Sequence, residues 1–322
     1  VFFSRGKTLG NDYKKRILFV GMPDMALVCL SKLAQNGINI VGVVPPPKYE
    51  PTYQLLVDTA QGLGYQIIDY NNSLNDNGFL QRIKDLNVDL GVVASFNKKL
   101  PKELLQLTKD GFINLHPSKL PEYRGGNPYS HVIINGETQS AITLHFMDEG
   151  FDTGDIISQY NFNLDLNETM GTLFHRTNQM CAAMLYEALD YYENHPFPRR
   201  PQPTGGSYIK AEALSFEKKN IFIDWSKSAE EIERFIRGLN PFIGALTTYN
   251  GITLRINSAY VIREYHSYPP GTICDTNNSL KVACGDGILE IESIQYGALF
   301  MSTGKDFIER VNPKKGEIFY SG

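Results

Sequence analysis

The sequence predicts an α/β protein, a mostly parallel sheet with helices on both faces, followed by a smaller β-barrel-like domain. Three observations carry that reading. Between Lys15 and Tyr192, short apolar runs rich in Val and Ile alternate with longer stretches of helical spacing. A stretch rich in Pro and Gly follows at residues 194–207, and after it come several short β-forming segments separated by turn residues. Strand–helix alternation implies parallel strands, because each right-handed crossover between parallel neighbours needs a helix that covers the sheet. Short strands at close spacing, without helices between them, imply an antiparallel barrel instead.

The elements follow in order. "KRILFVG" is an apolar run ending at Gly21 and reads as a strand; "MPDMALVCLSKLAQNG" has helical spacing, with Gly37 as its stop. "INIVGVV" is the second strand and "EPTYQLLVDTAQGLG" the second helix. "YQIIDY", "NGFLQRIKDLN" and "VDLGVVASF" continue as strand, helix and strand, and a short helix around "PKELLQLTK" leads into the strand of "GFINLH". Next come a helix in "GGNPYSHVIINGE", a strand at "SAITLHFMD" and a turn at "EGFDTGD". A long amphipathic helix from about Glu168 to Tyr192 carries Leu173, Phe174, Leu185 and Leu189 on one side. This order is that of a Rossmann-like domain. "NHPFPRRPQPTGGS" interrupts it and reads as a linker, since its prolines and glycines cannot pack as regular structure. Beyond it, "IDWSKSAEEIERFIRGLN" gives one helix with Ser226 or Ser228 as cap. "GALTTYN", "TLRINSAYVI", "GTICD", "SLKVACG" and "GILEIESIQ" then give the strands of a small OB-like barrel. The domains are an N-terminal arm at 1–14, a catalytic domain at 15–193, a linker at 194–207 and a second domain at 208–322.

Composition bounds the function. A chain of 322 residues is long for a single core, which agrees with two domains. No apolar run approaches the length of a membrane span, and the start, "VFFSRGKTLGNDYKK", has a short apolar piece before its basic residues, the reverse of a secretory signal. A soluble, cytoplasmic protein is expected, and the first residues are an appendage. Cys29, Cys181, Cys274 and Cys284 form no C-x-x-C pair and read as buried thiols of a reducing compartment, with no metal-ligand spacing among them or the histidines. A formal charge of −4 gives no general attraction for nucleic acid.

The chemistry is concentrated in "GFINLHPSKLPEYRGG", Gly111 to Gly126, a Pro- and Gly-rich loop leaving the end of a buried strand. Open α/β sheets bind their ligands at such strand ends. Asn114 and His116 are two residues apart, so their side chains share a face. An amide donor beside an imidazole can polarise a carbonyl and manage a proton, as acyl transfer requires. Ser118 lies close by, but no G-x-S-x-G elbow surrounds it to make a nucleophile.

The longer stretch "NLHPSKLPEYRGGNPYSHVIINGETQSAITLHFMDEGFDTGDII" carries N-x-H, S-x-L-P, R-G, T-x-H and D-x-G in that order. In this it resembles the active-site region of the folate-dependent formyltransferases, the family that includes methionyl-tRNA formyltransferase, glycinamide ribonucleotide formyltransferase and the amino-sugar N-formyltransferases. "KRILFVGMPDMALVCL", "ASFNKKLP", "IDWSKSAEEIERFIRGLNPFIGA" and "VACGDGILEIESIQ" extend the resemblance along the chain. It implies a catalytic triad of Asn114, His116 and Asp152, with 10-formyltetrahydrofolate as formyl donor, a primary amine as acceptor and no metal. Asn114 would donate to the developing oxyanion, and His116 would stabilise that charge or take the proton. Asp152 would orient His116 or hold a proton-relaying water. For the pteridine, the resemblance points to Lys99, Leu100 and Pro101 and to the loop of Asp148, Glu149, Gly150 and Phe151, with Ser118, Lys119, Leu120 and Pro121 contributing. Lys119, Ala141 and the polar Asn97, Lys98 and Lys99 depart from the family pattern. His145 is equally a sheet residue or a substrate contact.

The resemblance leaves the acceptor open. Family members acting on tRNA usually carry a long basic loop after the second strand, whereas this chain has "VVPPPKYEPTYQ" with the single Lys48. From Lys210 onward there are 13 Lys and Arg against 14 Asp and Glu, without the basic excess that phosphate binding favours. A small amine, an amino-sugar nucleotide or amino-acid derivative, is therefore expected ahead of Met-tRNA. The alternatives are a methionyl-tRNA formyltransferase, a binding protein for folate or acceptor without turnover, and a hydrolase releasing formate from 10-formyltetrahydrofolate.

Overall fold

A computed structural model of the chain describes residues 13–71, 73–203, 208–296 and 300–322. The alternating part forms β1 (Ile17–Gly21), α1 (Met25–Gln35), β2 (Ile40–Val44), α2 (Tyr53–Gly62), α3 (Asn77–Asp85), β3 (Leu90–Ala94), α4 (Lys102–Leu105) and β4 (Phe112–His116). It continues with β5 (Arg124–Gly125), α5 (Pro128–Ile134), β6 (Gln139–Phe146), β7 (Ile156–Asn163) and α6 (Met170–Tyr192). Two compact units result: the first takes the chain up to Gly125 with Ser140–Phe162 and His175–Lys210, the second Gly126–Gln139, Asn163–Phe174 and Ala211–Gly322.

The sheet of the first unit runs in the order β2-β1-β3-β4-β6-β7. Strands β1 to β4 are parallel, and β6 turns antiparallel against β4. The period of two along β1 sends Ile17 and Phe19 into a core with Leu30 and Leu33 of α1 and Leu185 and Leu189 of α6, while Leu18 and Val20 meet Phe79 and Ile83 of α3. Both faces are thereby covered, as parallel strands require. Among the described residues no helix is long and apolar enough to cross a membrane.

Three expectations change. Among the described residues "YQIIDY" makes only the isolated bridge Val43↔Ile67, because Asp69 turns to pair with Lys48 and Tyr70 drops into the core against Phe79. β7 is an added strand; its second half is largely exposed on the sheet edge and lacks the apolar density that marks a strand. Leu185 and Leu189 share the first core, but Phe174 of α6 stacks edge-on with Tyr129 and Phe242 instead.

The described part of the Pro-rich stretch packs locally without forming a helix or a named strand. Phe197 stacks on Tyr192 and meets Phe146, and Arg200 exchanges two backbone hydrogen bonds with Ile156 at the start of β7. Prolines forbid regular structure there but leave the intervening residues free to pair with an edge. Residues 204–207, and 1–12 of the N-terminal arm, lie outside the described residues. Tyr13, at the end of that arm, donates its hydroxyl to the Leu189 carbonyl at 2.9 Å.

The remaining elements are β8 (Lys210–Ala211), α7 (Ala229–Leu239), β9 (Ala245–Tyr249), β10 (Ile252–Ile262), β11 (Ile273–Asp275), β12 (Leu280–Ala283), β13 (Ile288–Tyr296), β14 (Phe300–Thr303) and α8 (Gly304–Val311). The antiparallel order β11-β12-β13-β10-β9, with β14 beside β13, matches the OB-like expectation. Residues 317–320 close the curl: Thr248 of β9 exchanges two backbone bonds with Tyr320, and Ile273 of β11 donates to Glu317. Trp225, Ile232, Ile236, Ile256, Phe307 and Phe319 fill this core. Ser228 caps α7 in a reciprocal box with Glu231. α5 packs against α7 where Gly238 lets Ile134 and the Ser130 carbonyl approach too closely for any Cβ.

Candidate active site

The period of β4 places Asn114 and His116 on one face, and the antiparallel register sets Asn114 directly opposite His145 of β6. The chain leaves β6 through a tight loop that brings Asp152 back over the pair. Asp152 stands in the left-handed region, φ 55°, and its Oδ2 accepts the Gly125 N–H at 3.0 Å. The same oxygen lies 3.6 Å from Nδ1 of His116, while Oδ1 lies 3.4 Å from Nδ2 of Asn114 and 3.6 Å from Nε2 of His145. The three residues of the implied triad thus meet at one carboxylate.

Partners decide the proton positions. Nε2 of His116 is 2.9 Å from the Tyr123 carbonyl, an acceptor only, so Nε2 carries a hydrogen and Nδ1 is the nitrogen that can take one. Nδ1 of His145 donates to the Phe146 carbonyl at 2.7 Å, which leaves its Nε2 to accept from Asn114 at 3.2 Å. His116 is 4% exposed, and this burial pulls its pKa below the ordinary value against the opposing pull of Asp152. Burial works against ionising Asp152 as well, but the imidazolium that His116 becomes at the low pH where this carboxyl titrates, together with the Gly125 N–H, outweighs it and holds the carboxyl well below the usual range. Asp152 is therefore a carboxylate at neutral pH, facing an imidazole that burial keeps neutral.

The loop around Asp152 is braced. Asp148 accepts the Gly150 N–H at 2.8 Å and the Thr153 hydroxyl at 2.6 Å. At Gly154 a Cβ would sit 2.0 Å from the Phe146 carbonyl oxygen, so only glycine permits the return. Of the residues assigned to the pteridine, those of the β3–α4 loop and of the 148–151 loop approach each other. Lys99 lies 5.7 Å from the Phe151 ring centre and Lys102 pairs with Glu149 at 3.1 Å. Phe151 is 67% exposed, Leu100 is buried and Pro101 is the N-cap residue of α4. Ser118 and Leu120 turn inward: the Ser118 hydroxyl donates to Glu122 O at 2.7 Å, and its carbonyl accepts from Thr143 at 2.6 Å. Lys119 is exposed, Pro121 is half-buried and Ala141 is fully buried in β6. His145 is the site residue that alternation leaves undecided, because its meeting with Asn114 depends on strand register. Gln202, which hydrogen-bonds the loop backbone, carries no sequence signal.

A family model described as formyl transferase matches residues 15–189, and one described as formyl transferase, C-terminal domain, matches residues 216–312. The chain belongs to the formyl transferase family. This formyltransferase is 38% identical over 291 residues to the methionyl-tRNA formyltransferase of Clostridioides difficile, covering 87% of this chain and 92% of that one. With the methionyl-tRNA formyltransferase of Alkaliphilus oremlandii it shares 35% over 309 residues, 94% of this chain and 99% of the other. Among solved structures, the N-formyltransferase of Helicobacter canadensis in complex with folinic acid and dTDP-3-aminofucose superposes with a TM-score of 0.65 at 21% identity, covering 86% of this formyltransferase and 99% of that chain. HypX from Aquifex aeolicus gives 0.63 at 16% identity over 92% of this formyltransferase, which spans 49% of that longer chain. These two likenesses are of fold alone.

Proposed function

We propose that this formyltransferase moves a formyl group from 10-formyltetrahydrofolate to the amino group of methionyl-tRNA. One observation carries the choice of acceptor: collinear similarity to methionyl-tRNA formyltransferases runs through both halves of the chain. That supports Met-tRNA over the small amine expected from the sequence. The short "VVPPPKYEPTYQ" segment and the balanced charge beyond Lys210 weigh less than this, since basic residues gathered on one face serve phosphates even at zero net charge. The free, buried cysteines suit the cytoplasm.

The residues fit the donor. The exposed Phe151 ring offers apolar surface to a flat heterocycle, beside two loops whose backbone groups can pair with it. When bound, the folate supplies the formyl carbon that the uncharged amine attacks. Asn114 is placed to donate to the formyl oxygen as charge gathers there; its 3.4 Å bond to Asp152 is the weaker of its two and the one that oxygen can take over. The proton lost by the attacking amine is taken at Nδ1 of His116, held against the Asp152 carboxylate, and is returned to N10 of the folate as the C–N10 bond breaks, so that the formamide and tetrahydrofolate leave and the pair is restored.

The test is an assay of purified protein with 10-formyltetrahydrofolate and, separately, Met-tRNA, uncharged tRNA and an amino-sugar nucleotide. Saturable formylation of Met-tRNA that weakens steeply with salt is expected. His116→Ala should lower its rate about a hundredfold or more while circular dichroism stays native. Formylation of the sugar alone overturns the acceptor, and release of formate without any amine makes the protein a hydrolase.

A further inference from the structure

Gln202 lies between Pro201 and Pro203, outside every motif that marks the site. It is buried, and its carboxamide is fully used. Nε2 donates to the carbonyls of Asp152 and Gly154, both at 2.8 Å, while Oε1 accepts from Arg124 through Nη2 at 2.5 Å and Nε at 3.2 Å. The partners settle the amide orientation, because the reverse would set oxygen against two carbonyls and the NH2 group against a guanidinium. One side chain therefore ties the R-G segment to the D-x-G turn. From the other side, Gly125, next to Arg124, binds the Asp152 carboxylate itself. Asp152 has a left-handed backbone, which aspartate adopts more readily than most residues with a Cβ but still at some cost.

We propose that Gln202 is a positioning residue for formyl transfer: by clamping the backbone at Asp152 and Gly154 and the Arg124 guanidinium, it sets the distance of the Asp152 carboxylate from His116 and Asn114. The inference rests on the reading of Asp152 as part of the site. The charged and titratable groups around it are His116 and His145, which face the carboxylate, Arg124, which faces Gln202, and the neighbouring Asp155–Arg199 pair. Without the two donors the turn can relax, and small displacements of a reacting group cost up to about a hundredfold in rate.

Gln202→Ala removes all four bonds; Gln202→Glu keeps an acceptor for Arg124 but loses both donors to the turn. Both should lower kcat by roughly ten- to a hundredfold with little change in the KM for 10-formyltetrahydrofolate. Both should also move the acid limb of the pH–rate profile to lower pH, since a carboxylate drawn away from His116 stabilises its protonated form less. Asp152→Asn, measured alongside, separates the two readings. If Asp152→Asn is fully active, the site assignment fails. If it is impaired while the folded Gln202 variants keep the wild-type kcat, or lose kcat with an unmoved profile, Gln202 is a structural residue and the inference fails. Should Gln202→Ala not fold, Gln202→Glu alone decides.

Discussion

Replacing Asp152 with Asn keeps the outline of the side chain and removes its charge. In the wild type the two oxygens serve Gly125 N–H at 3.0 Å and Asn114 Nδ2 at 3.4 Å while facing two imidazoles. A carboxamide accepts at one end only, so either Gly125 or Asn114 meets an NH2 group instead of an oxygen, costing about 1–3 kcal/mol of stability. The loss in catalysis is greater. Unit charges at the 3.6 Å between Asp152 and His116 attract by about 4–5 kcal/mol at an effective dielectric near 20. Realising half of that in the transition state predicts a fall in kcat of about fiftyfold, and all of it roughly two-thousandfold. The acid limb of the profile should move to lower pH, because His116 loses the charge that favours its protonated form. The stability term runs the other way in pH. Asp152 is held below its ordinary pKa, so its contribution is full above about pH 4, fades as pH falls through the folded value, and is absent from the Asn variant throughout. Initial rates with saturating donor and acceptor across pH, with denaturant titrations alongside, measure both. An Asn variant with the wild-type kcat and a superimposable profile would refute the reasoning.

Phe151→Ala removes an exposed ring from the rim beside Lys99 and should raise the KM for the folate donor about three- to tenfold, with kcat within about twofold; an unchanged KM takes Phe151 out of the donor site. Ser228→Ala removes the cap whose hydroxyl accepts the Glu231 N–H at 3.2 Å, and should cost about 1 kcal/mol in thermal or chemical unfolding without altering kcat.

What the sequence discloses divides by the range of the interactions involved. β1, α1 and the pairing of Asn114 with His116 on one face follow from periods of two and 3.6 residues, which are local properties. The partnership of Asn114 with His145 depends on the register between β4 and β6, and no local pattern encodes that. "YQIIDY" has strand composition, yet its end is drawn off the edge by the Lys48–Asp69 pair and the burial of Tyr70. Gln202 is hidden by its neighbours, since a polar residue flanked by prolines reads as solvated linker and only the tertiary fold turns it inward. α8 was within reach: Thr303 and Asp306 form a capping box whose spacing is visible in "TGKD".

The closure of the second unit by residues 317–320 has a kinetic side. This unit draws on residues 126–139 and 163–174, yet its ring of strands has a gap between β9 and β11 until residue 320 has been made. At about 5–20 residues per second of synthesis, α5 waits roughly 10–40 s for the ring it belongs with. Ile134, which packs against the core of that ring in the finished protein, lacks that core over the interval, and the joining of segments so far apart in sequence is slow in itself. The first unit has its β1–β4 strands after residue 116 and can begin to assemble early. Pulse-labelled nascent chains should therefore show protease protection in the sheet of the first unit well before any appears at α5.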